Sequence, residues 1–507
     1  MHLSAICYNV PEWAKGAIFY QLLVDRFCKS KTHEKDLVSG RNYREWKDSV
    51  DWHRNIHGNF HNNDFFCGDL NGIKDKIPFF KSLGVSVLYL SPINLSLYRY
   101  DRYAATNHML IDPDVGSFST LDNLHQTALK NNIHIILDIA FNHCCTNNPI
   151  YKDAFNNPDS KYWNWFKRDS HGNICFWYGF DDMPEFNQFS KDYQKYVYGD
   201  GGVIEKYSKY VDGFRLDLAE NLEPFFIEGI KNKANENSPH LIVGEYWSKV
   251  PRSLLNKCID SPTCYPMTNA ILKFLCYGEY NYLEEQMKEL VNYYPQSTID
   301  SMLISLDTHD IIRALTILGK TYLMRTGLID IWKIDDYPSP WHRDDKFYTD
   351  EFRQFEFDND ELTPEEYEHA TALLKVGAVL QYFYIGSPCL YYGTESGMYG
   401  FKDPFNRKPY PWGNEDTQLL KFFMTLGTFR KSFNSVRANP VIQFKDSGVF
   451  SFTRENEYNS LFVVVNRSNE TRKFIIPEKF IDGYSFSVNL GGNNTLLPYG
   501  ALVILKK

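Results

Sequence analysis

Two textures alternate along the chain. Short apolar runs of about four to eight residues close on polar or ionisable groups. Between them lie segments with apolar positions three and four apart, the spacing of one helix face. Such alternation predicts repeated strand–helix units and therefore a parallel sheet. A first strand is predicted over 17–24, closing on Asp25 and Arg26. Ile73, Ile77, Phe80 and Leu83 mark a helix that Gly84 stops and that Pro78 kinks or splits. Strands follow over 85–90 and 134–139, with a helix between them starting near Ser119 and Asp122 serving its first turn.

The fourth strand is the most informative. In GFRLD, Phe214 and Leu216 point one way while Arg215 and Asp217 point the other. A helical segment over 224–233, long enough for a parallel crossover, leads to a fifth strand over 241–243 that delivers Glu245 at its end. Two carboxylates thus stand at the same ends of neighbouring parallel strands. Further strands are predicted over 263–267, 302–306 and 389–392. Thr363, Pro364 and Glu366 open the helix before the last of them. Eight strands with intervening helices predict an α/β fold, a (β/α)8 TIM barrel.

Two stretches interrupt the pattern. Residues 144–187 are polar, turn-rich and aromatic, with Trp163, Trp165, Phe166, Phe176, Trp177 and Tyr178. That is too long for a bare loop in a compact domain and predicts an inserted subdomain. Residues 319–360 read as a second, irregular insertion. From about 439 the texture turns to alternating and apolar runs around polar turns, without helical spacing. The expected organisation is a barrel over 1–143 and 188–438, an insert over 144–187, and a C-terminal antiparallel β-sandwich domain over 439–507.

Composition narrows the function classes. Aromatic residues make up 16% of the chain, which suits either a large packed core or a cleft for sugar rings. A net charge of -9 counts against a nucleic-acid partner. No apolar run is long enough to span a bilayer. The first residues lack the basic-then-apolar order of a secretory signal, so a cytoplasmic protein is expected. The ten cysteines show neither a disulfide framework nor metal-site spacing.

Four strand ends share one format, an apolar run closing on ionisable groups. They carry Asp138, Asn142 and His143; Arg215 and Asp217; Glu245; and Asp307, His309 and Asp310. In a (β/α)8 barrel these ends converge on one mouth, where catalytic groups sit. One aspartate there is ordinarily a cap or turn residue, but four such ends together point to a site.

These segments resemble, in order, the strand-end regions of the α-amylase family of glycoside hydrolases. FYQLLVDRF, GDLNGIKDKIPFFKSLGVSVLYLSPI, MPEFN and YYGTESGMYGFKDPFNRKPYPW extend the likeness from about residue 13 to about 430. MPEFN, the Ala219–Glu220–Asn221 triplet and the GTESGM stretch are most similar to the neopullulanase, cyclomaltodextrinase and maltogenic amylase branch. The resemblance implies a retaining hydrolase of α-1,4-glucosidic bonds in maltooligosaccharides, cyclodextrins or starch, needing no cofactor. It implies Asp217 as nucleophile, Glu245 as acid/base and Asp310 as transition-state stabiliser. Retention asks for two carboxyls about 5–5.5 Å apart with divergent pKa values. Arg215 is expected to keep Asp217 ionised, and the apolar run before Glu245 to favour its protonated form.

By the same resemblance His143 and His309 bond the sugar at the cleavage point, and Tyr103 stacks beneath it. Tyr103 also reads as a rim packing residue. Asp403 and Arg407 match a pair that grips the non-reducing end, or else form a surface ion pair. Asp138 is expected to brace Arg215. Asn142 is the one calcium ligand the likeness offers, since 28–33 lacks the alternating Asp and Asn of a calcium loop.

The chain departs from the family at Ala104 to His108 and at Thr394–Glu395, both expected near substrate, and leaves no room for the branch's extra N-terminal domain. Hydrolysis and glycosyl transfer share the covalent intermediate, so transferase and isomerase readings stay open. A non-enzymatic, transporter-associated barrel would have a membrane span and tend to lose the carboxylates; this chain keeps all three.

Overall fold

The computed structural model describes residues 10–31, 38–53, 63–325, 350–432 and 437–506. Its centre is a sheet of eight parallel strands: β1 (Phe19–Leu22), β2 (Val87–Leu90), β3 (His134–Ile139), β4 (Gly213–Leu216), β5 (Leu241–Gly244), β6 (Ser261–Pro262), β7 (Leu303–Ile304) and β8 (Ser387–Tyr391). Their order is β6-β5-β4-β3-β2-β1-β8-β7. A parallel bridge between Thr263 and Leu303 joins β6 to β7 and closes the ring. The expected (β/α)8 barrel is the fold.

Strand periodicity sorts the side chains into two cores. Phe19, Val87, Tyr89, Ile136, Leu241, Val243 and Leu303 fill the barrel interior with Ala14 and Ala17. Their neighbours Tyr20, Leu88, Ile135, Leu137 and Ile242 pack outward beneath the helices. Interior columns therefore read Ile136 then Asp138 on β3, and Leu241, Val243, then Glu245 past β5. Arg215 pairs laterally with Asp138 on one side and with Val243 on the other. Apolar layers fill the lower interior and ionisable ones the top.

Several boundaries differ from expectation. β6 is two residues long, and 265–277 is a helix, Tyr265–Tyr277, with proline in its first turn. Pro262 has no amide to extend the ladder, while Pro266 fits a helix start. β1 gives way at Val24 to a helical turn, Val24–Phe27. Asp25, in that turn, accepts the amides of Phe66 and Cys67, each at 3.0 Å. The helix Phe118–Leu129 is capped by Ser117 and Thr120 rather than by Ser119 and Asp122. Pro78 splits its segment, starting a second helix, Ile77–Ser82, after Leu70–Asp75. Thr363 and Glu366 cap Pro364–Phe383 as expected.

Residues 144–187 form a short helix, Pro149–Ala154, and isolated antiparallel bridges such as Phe166 to Phe186 and Phe176 to Pro184. Of the predicted irregular stretch 319–360, 326–349 lie outside the described residues, as do 1–9 and the last two positions of 28–33. Asp350–Asp358 is helical. The C-terminal strands Val441–Lys445, Val449–Glu455, Ser460–Asn466, Arg472–Lys473, Tyr484–Gly491 and Thr495–Lys506 make one antiparallel sheet. One face buries Val449, Phe462, Val464, Phe480 and Ile504. The other packs Phe450 and Phe452 on Tyr384 of the barrel. No described helix is long and apolar enough to cross a membrane.

Candidate active site

The site begins with one arginine. Arg215 is 1% exposed. Its Nη1 donates to both Asp138 oxygens at 2.9 Å and to Asp217 Oδ1 at 2.8 Å. Its Nη2 lies 3.1 Å from Glu245 Oε1. Asp138 also accepts the hydroxyls of Tyr103 at 2.7 Å and Tyr89 at 3.0 Å. Asp138 is thus the brace that fixes the guanidinium, while Asp217 and Glu245 hang from two nitrogens of one planar group.

Asp310 completes the ring of acids from the loop after β7. Its Oδ1 lies 3.4 Å from His309 Nε2 and 3.7 Å from Arg407 Nη2, and its buried Oδ2 has no hydrogen-bond partner. Gln21 Nε2 and His309 Nδ1 are 3.0 Å apart, and the His309 ring stacks on Tyr103 with centroids 5.1 Å apart. Arg407 extends the network to Asp403 at 3.2 Å and Asp101 at 3.4 Å. That pair is no surface ornament, since Arg407 is buried. His143 lies in ring contact with Trp177 of the insert at 5.4 Å, and neither ring nitrogen has a partner.

Around these groups a cavity of ≈ 60 Å³ is lined by Asp217, Glu245, Asp310, Tyr103, His143, His309, Asp403 and Arg407. Arg99, Asp101, Leu218 and the insert residues Trp177, Phe180 and Met183 complete its wall. Of the residues expected to bind or cleave sugar, all but Arg215 line this cavity; Arg215 contacts Asp217 and Glu245, while Asp138, Asn142 and Asp307 are not among its lining residues. Reading the sequence missed Arg99, Leu218 and Gln21. Arg99 pairs with Asp101 at 3.0 Å and with Asp182 of the insert at 3.7 Å, so it ties insert to barrel. The charge-rich run Arg99 to Arg102 was the available signal.

Burial sets the proton affinities. It lifts Asp217 well above the usual carboxylate range, Glu245 adds to the rise, and Arg215 opposes it. Arg215 was expected to keep Asp217 ionised; it does oppose the rise, but one guanidinium shared by three carboxylates does not outweigh burial and Glu245. Asp310 is pushed up to about 7 by burial and by Glu245. Burial lowers His143 to about 3, and holds His309 well below its usual value with help from Arg407. Both imidazoles are therefore neutral and able to accept or donate one hydrogen bond at each nitrogen.

The two departures from the family pattern look inward. Thr394 Oγ1 donates to both oxygens of Asp307 at 2.9 Å, and Glu395 accepts the Tyr20 hydroxyl at 2.7 Å. His108 is buried, with Nε2 2.8 Å from the Ala140 carbonyl. Thr394, Glu395 and His108 are not among the residues lining the cavity, whereas Ala104, which opens the other departure, packs with Trp177, Phe180, Met183 and Leu218 of its wall. Among the described residues, no three His, Cys, Asp or Glu side chains converge on a metal position. Asn142 is buried and its backbone carbonyl accepts the Phe186 amide at 2.9 Å.

A parallel barrel whose strand ends carry paired carboxylates has the layout of a barrel glycoside hydrolase. Residues 21–334 match the alpha amylase catalytic domain, and the chain belongs to that family. It is 27% identical to an amylopullulanase of Thermoanaerobacter thermohydrosulfuricus, over 98% of this chain and 36% of the relative. It spans 28 to 42% of the length of the amylopullulanases it matches. An intracellular maltogenic amylase of Bacillus subtilis is 27% identical over 94% of this chain and 73% of its own. Among solved structures, the cyclic alpha-maltosyl-(1→6)-maltose hydrolase of Arthrobacter globiformis shares the fold, with a TM-score of 0.75 at 21% identity, covering 98% of this chain and 100% of that one.

Proposed function

We propose that the chain is a retaining α-glucan hydrolase acting on α-1,4 bonds of maltooligosaccharides, cyclodextrins or starch fragments. The observation that carries the reading is that Asp217 and Glu245 share the Arg215 guanidinium at the wall of one cavity that Asp310 also lines. Asp217 Oδ2 is the attacking atom, since Oδ1 is engaged by Arg215. Glu245 protonates the glycosidic oxygen, and the bond to the leaving sugar breaks as Asp217 bonds the anomeric carbon. Glu245 then takes a proton from water, which releases the glycosyl group with its configuration restored. The positive charge that develops at the anomeric carbon favours Asp217 in its ionised, attacking form. Asp310, His143 and His309 hold ring hydroxyls, Tyr103 lies under the ring, and Asp403 with Arg407 closes the non-reducing end. Residues 144–187 shape the cleft through Trp177, Phe180 and Met183. The intracellular placement is part of the same proposal.

Transfer to a second sugar is favoured by one feature. Trp177, Phe180, Met183 and Leu218 form an apolar cluster beside the nucleophile, which disfavours water as acceptor. Incubation with maltoheptaose, β-cyclodextrin, pullulan and starch tests both readings. Products are separated by length and anomers followed by NMR. Retained configuration with shortening is expected; inversion refutes the nucleophile, and products longer than the substrate mark transfer.

A further inference from the structure

A second cavity, of ≈ 560 Å³, opens on the same face of the barrel as the catalytic one, within the range of about 300–1,000 Å³ typical of small-molecule sites. Three segments build it, and each follows the closing end of a strand. Trp46 to Val50 come from the loop after β1, and Phe357 and Asp360 from the segment between β7 and the helix Pro364–Phe383. Phe405 and Lys408 to Trp412 come from the loop after β8. In a (β/α)8 barrel those ends share one mouth. The loop after β8 serves both cavities, since its Asp403 and Arg407 line the catalytic one.

Its surface is aromatic, and the polar atoms of the indoles are engaged elsewhere. Trp46 donates its ring N–H to the Tyr410 carbonyl at 2.9 Å, and Trp412 donates its own to the Phe27 carbonyl at 2.6 Å. Carbon is therefore what both indoles offer the cavity. Lys76 at 3.4 Å and Tyr410 at 4.1 Å hold the Trp412 ring in place. Phe357 stacks on Trp52, with centroids 5.3 Å apart and an interplanar angle of 27°, yet stays 48% exposed. Pro409 and Pro411 fix φ on either side of Tyr410, so this wall is stiff before any ligand arrives. Around the rings stand Lys47, Asp48, Ser49, Glu361 and Asn414. Lys408 pairs with Asp360 at 2.5 Å, which leaves the rim with charges of both signs.

Stiff ring surfaces with donors and acceptors at the rim suit one ligand chemistry. A pyranose is apolar on its faces, where C–H bonds point, and polar around its edge, where hydroxyls donate and accept. A charged ligand would ask for an excess of one sign. A lipid or an apolar peptide would cover Lys47, Asp48 and Asn414 without bonding them, at a desolvation cost. We propose that this cavity is a second α-glucan site, where Trp46 and Phe357 carry glucose rings and Lys47, Asp48 and Asn414 bond their hydroxyls. Because the Asp403–Arg407 pair closes the catalytic cleft, the cavity holds a separate chain or branch of a large glucan rather than the one being cleaved. Sharing the loop after β8 keeps such a polymer beside Asp217. The ligand class rests on the glucan reading; the cavity and its rings do not.

Binding is read on the full chain carrying Asp217→Asn, a change expected to stop turnover. Maltoheptaose is titrated calorimetrically into this chain with and without Phe357→Ala. Two classes of site are expected. Phe357→Ala should weaken one of them about five- to tenfold and leave the other, while Phe357→Tyr keeps both. Thermal melting of each variant checks that the fold is intact. With Asp217 in place, Phe357→Ala should raise KM for soluble starch about fivefold and leave kcat and all kinetics on maltotriose unchanged. Two classes that both ignore Phe357→Ala, or equal losses on starch and maltotriose, overturn the site. A single class that Phe357→Ala weakens upholds this cavity and counts against the catalytic assignment. A single class that it leaves unchanged overturns this cavity and spares the catalytic assignment, and absence of binding overturns both.

Discussion

Leu218 donates its backbone amide to Glu245 Oε2 at 2.8 Å, from a left-handed conformation with φ 49° and ψ 41°. A non-glycine residue in that region costs about 1–2 kcal/mol. The strain aims the amide that directly follows Asp217 at the neighbouring carboxylate, so the two acids are positioned by one turn of backbone. Glu245→Gln keeps an acceptor oxygen for this amide and should fold. It loses the proton the leaving sugar needs. Turnover on maltooligosaccharides should fall roughly 10³-fold, about 4 kcal/mol, with a much smaller loss on aryl glycosides whose leaving groups need no acid. Equal losses on both substrates would show that Glu245 is not the acid.

Arg215 serves three carboxylates through a fork that an ammonium cannot imitate. Arg215→Lys keeps the charge but leaves at least one buried acid unpaired. Urea unfolding at neutral pH should show a loss of about 3–5 kcal/mol, the cost of breaking a buried ion pair. Activity should fall by roughly 10²-fold or more, because Asp217 loses the contact that opposes its raised proton affinity. A variant of unchanged stability would place the weight of the network on Tyr89, Tyr103 and Asp138 instead.

Asp310 predicts a pH-dependent trade between stability and function. Its folded value of about 7 lies above the ordinary value near 3.9 of an unfolded aspartate. Between those limits the folded state binds more protons, so its contribution to stability is present at low pH and lost as pH rises through 7. Asp310→Asn removes that loss. The variant should be more stable than the parent by on the order of 2 kcal/mol at pH 8, with no advantage at pH 4, and should be nearly inactive. Urea titrations at pH 4, 6 and 8 measure this. A constant offset across the three would point to packing rather than ionisation.

The barrel and its acids were legible because period-two burial leaves a clear signature, and because a barrel sends every strand's closing residues to one mouth. The order Leu241, Val243, Glu245 already says which face is interior. Other features had no local signal. Pro262 and Pro266 look alike in the chain, yet one ends a strand and the other starts a helix. The proton affinity of Asp217 depends on Glu245 and Asp138, which are distant in sequence and share its arginine. Thr394, Glu395 and His108 were expected near substrate from their place in the motif, but each pairs with a residue distant in sequence, Asp307, Tyr20 and Ala140, outside the cavity lining.

Tyr103 separates packing from recognition. Its hydroxyl donates to Asp138 at 2.7 Å, and its ring lies nearly parallel to His309, at an interplanar angle of 5°. Asp138 retains Tyr89 and Arg215 when that hydroxyl is removed. Tyr103→Phe should therefore cost about 1 kcal/mol of stability and leave KM close to the parent value, since the ring face is kept. Tyr103→Ala removes the platform as well. If the ring supports the bound sugar, KM for maltotriose should rise about tenfold or more, worth about 1.4 kcal/mol of binding. If the ring only packs the rim, melting temperature falls in Tyr103→Ala while KM holds. Steady-state kinetics and thermal melts on the two variants decide which of these the side chain does.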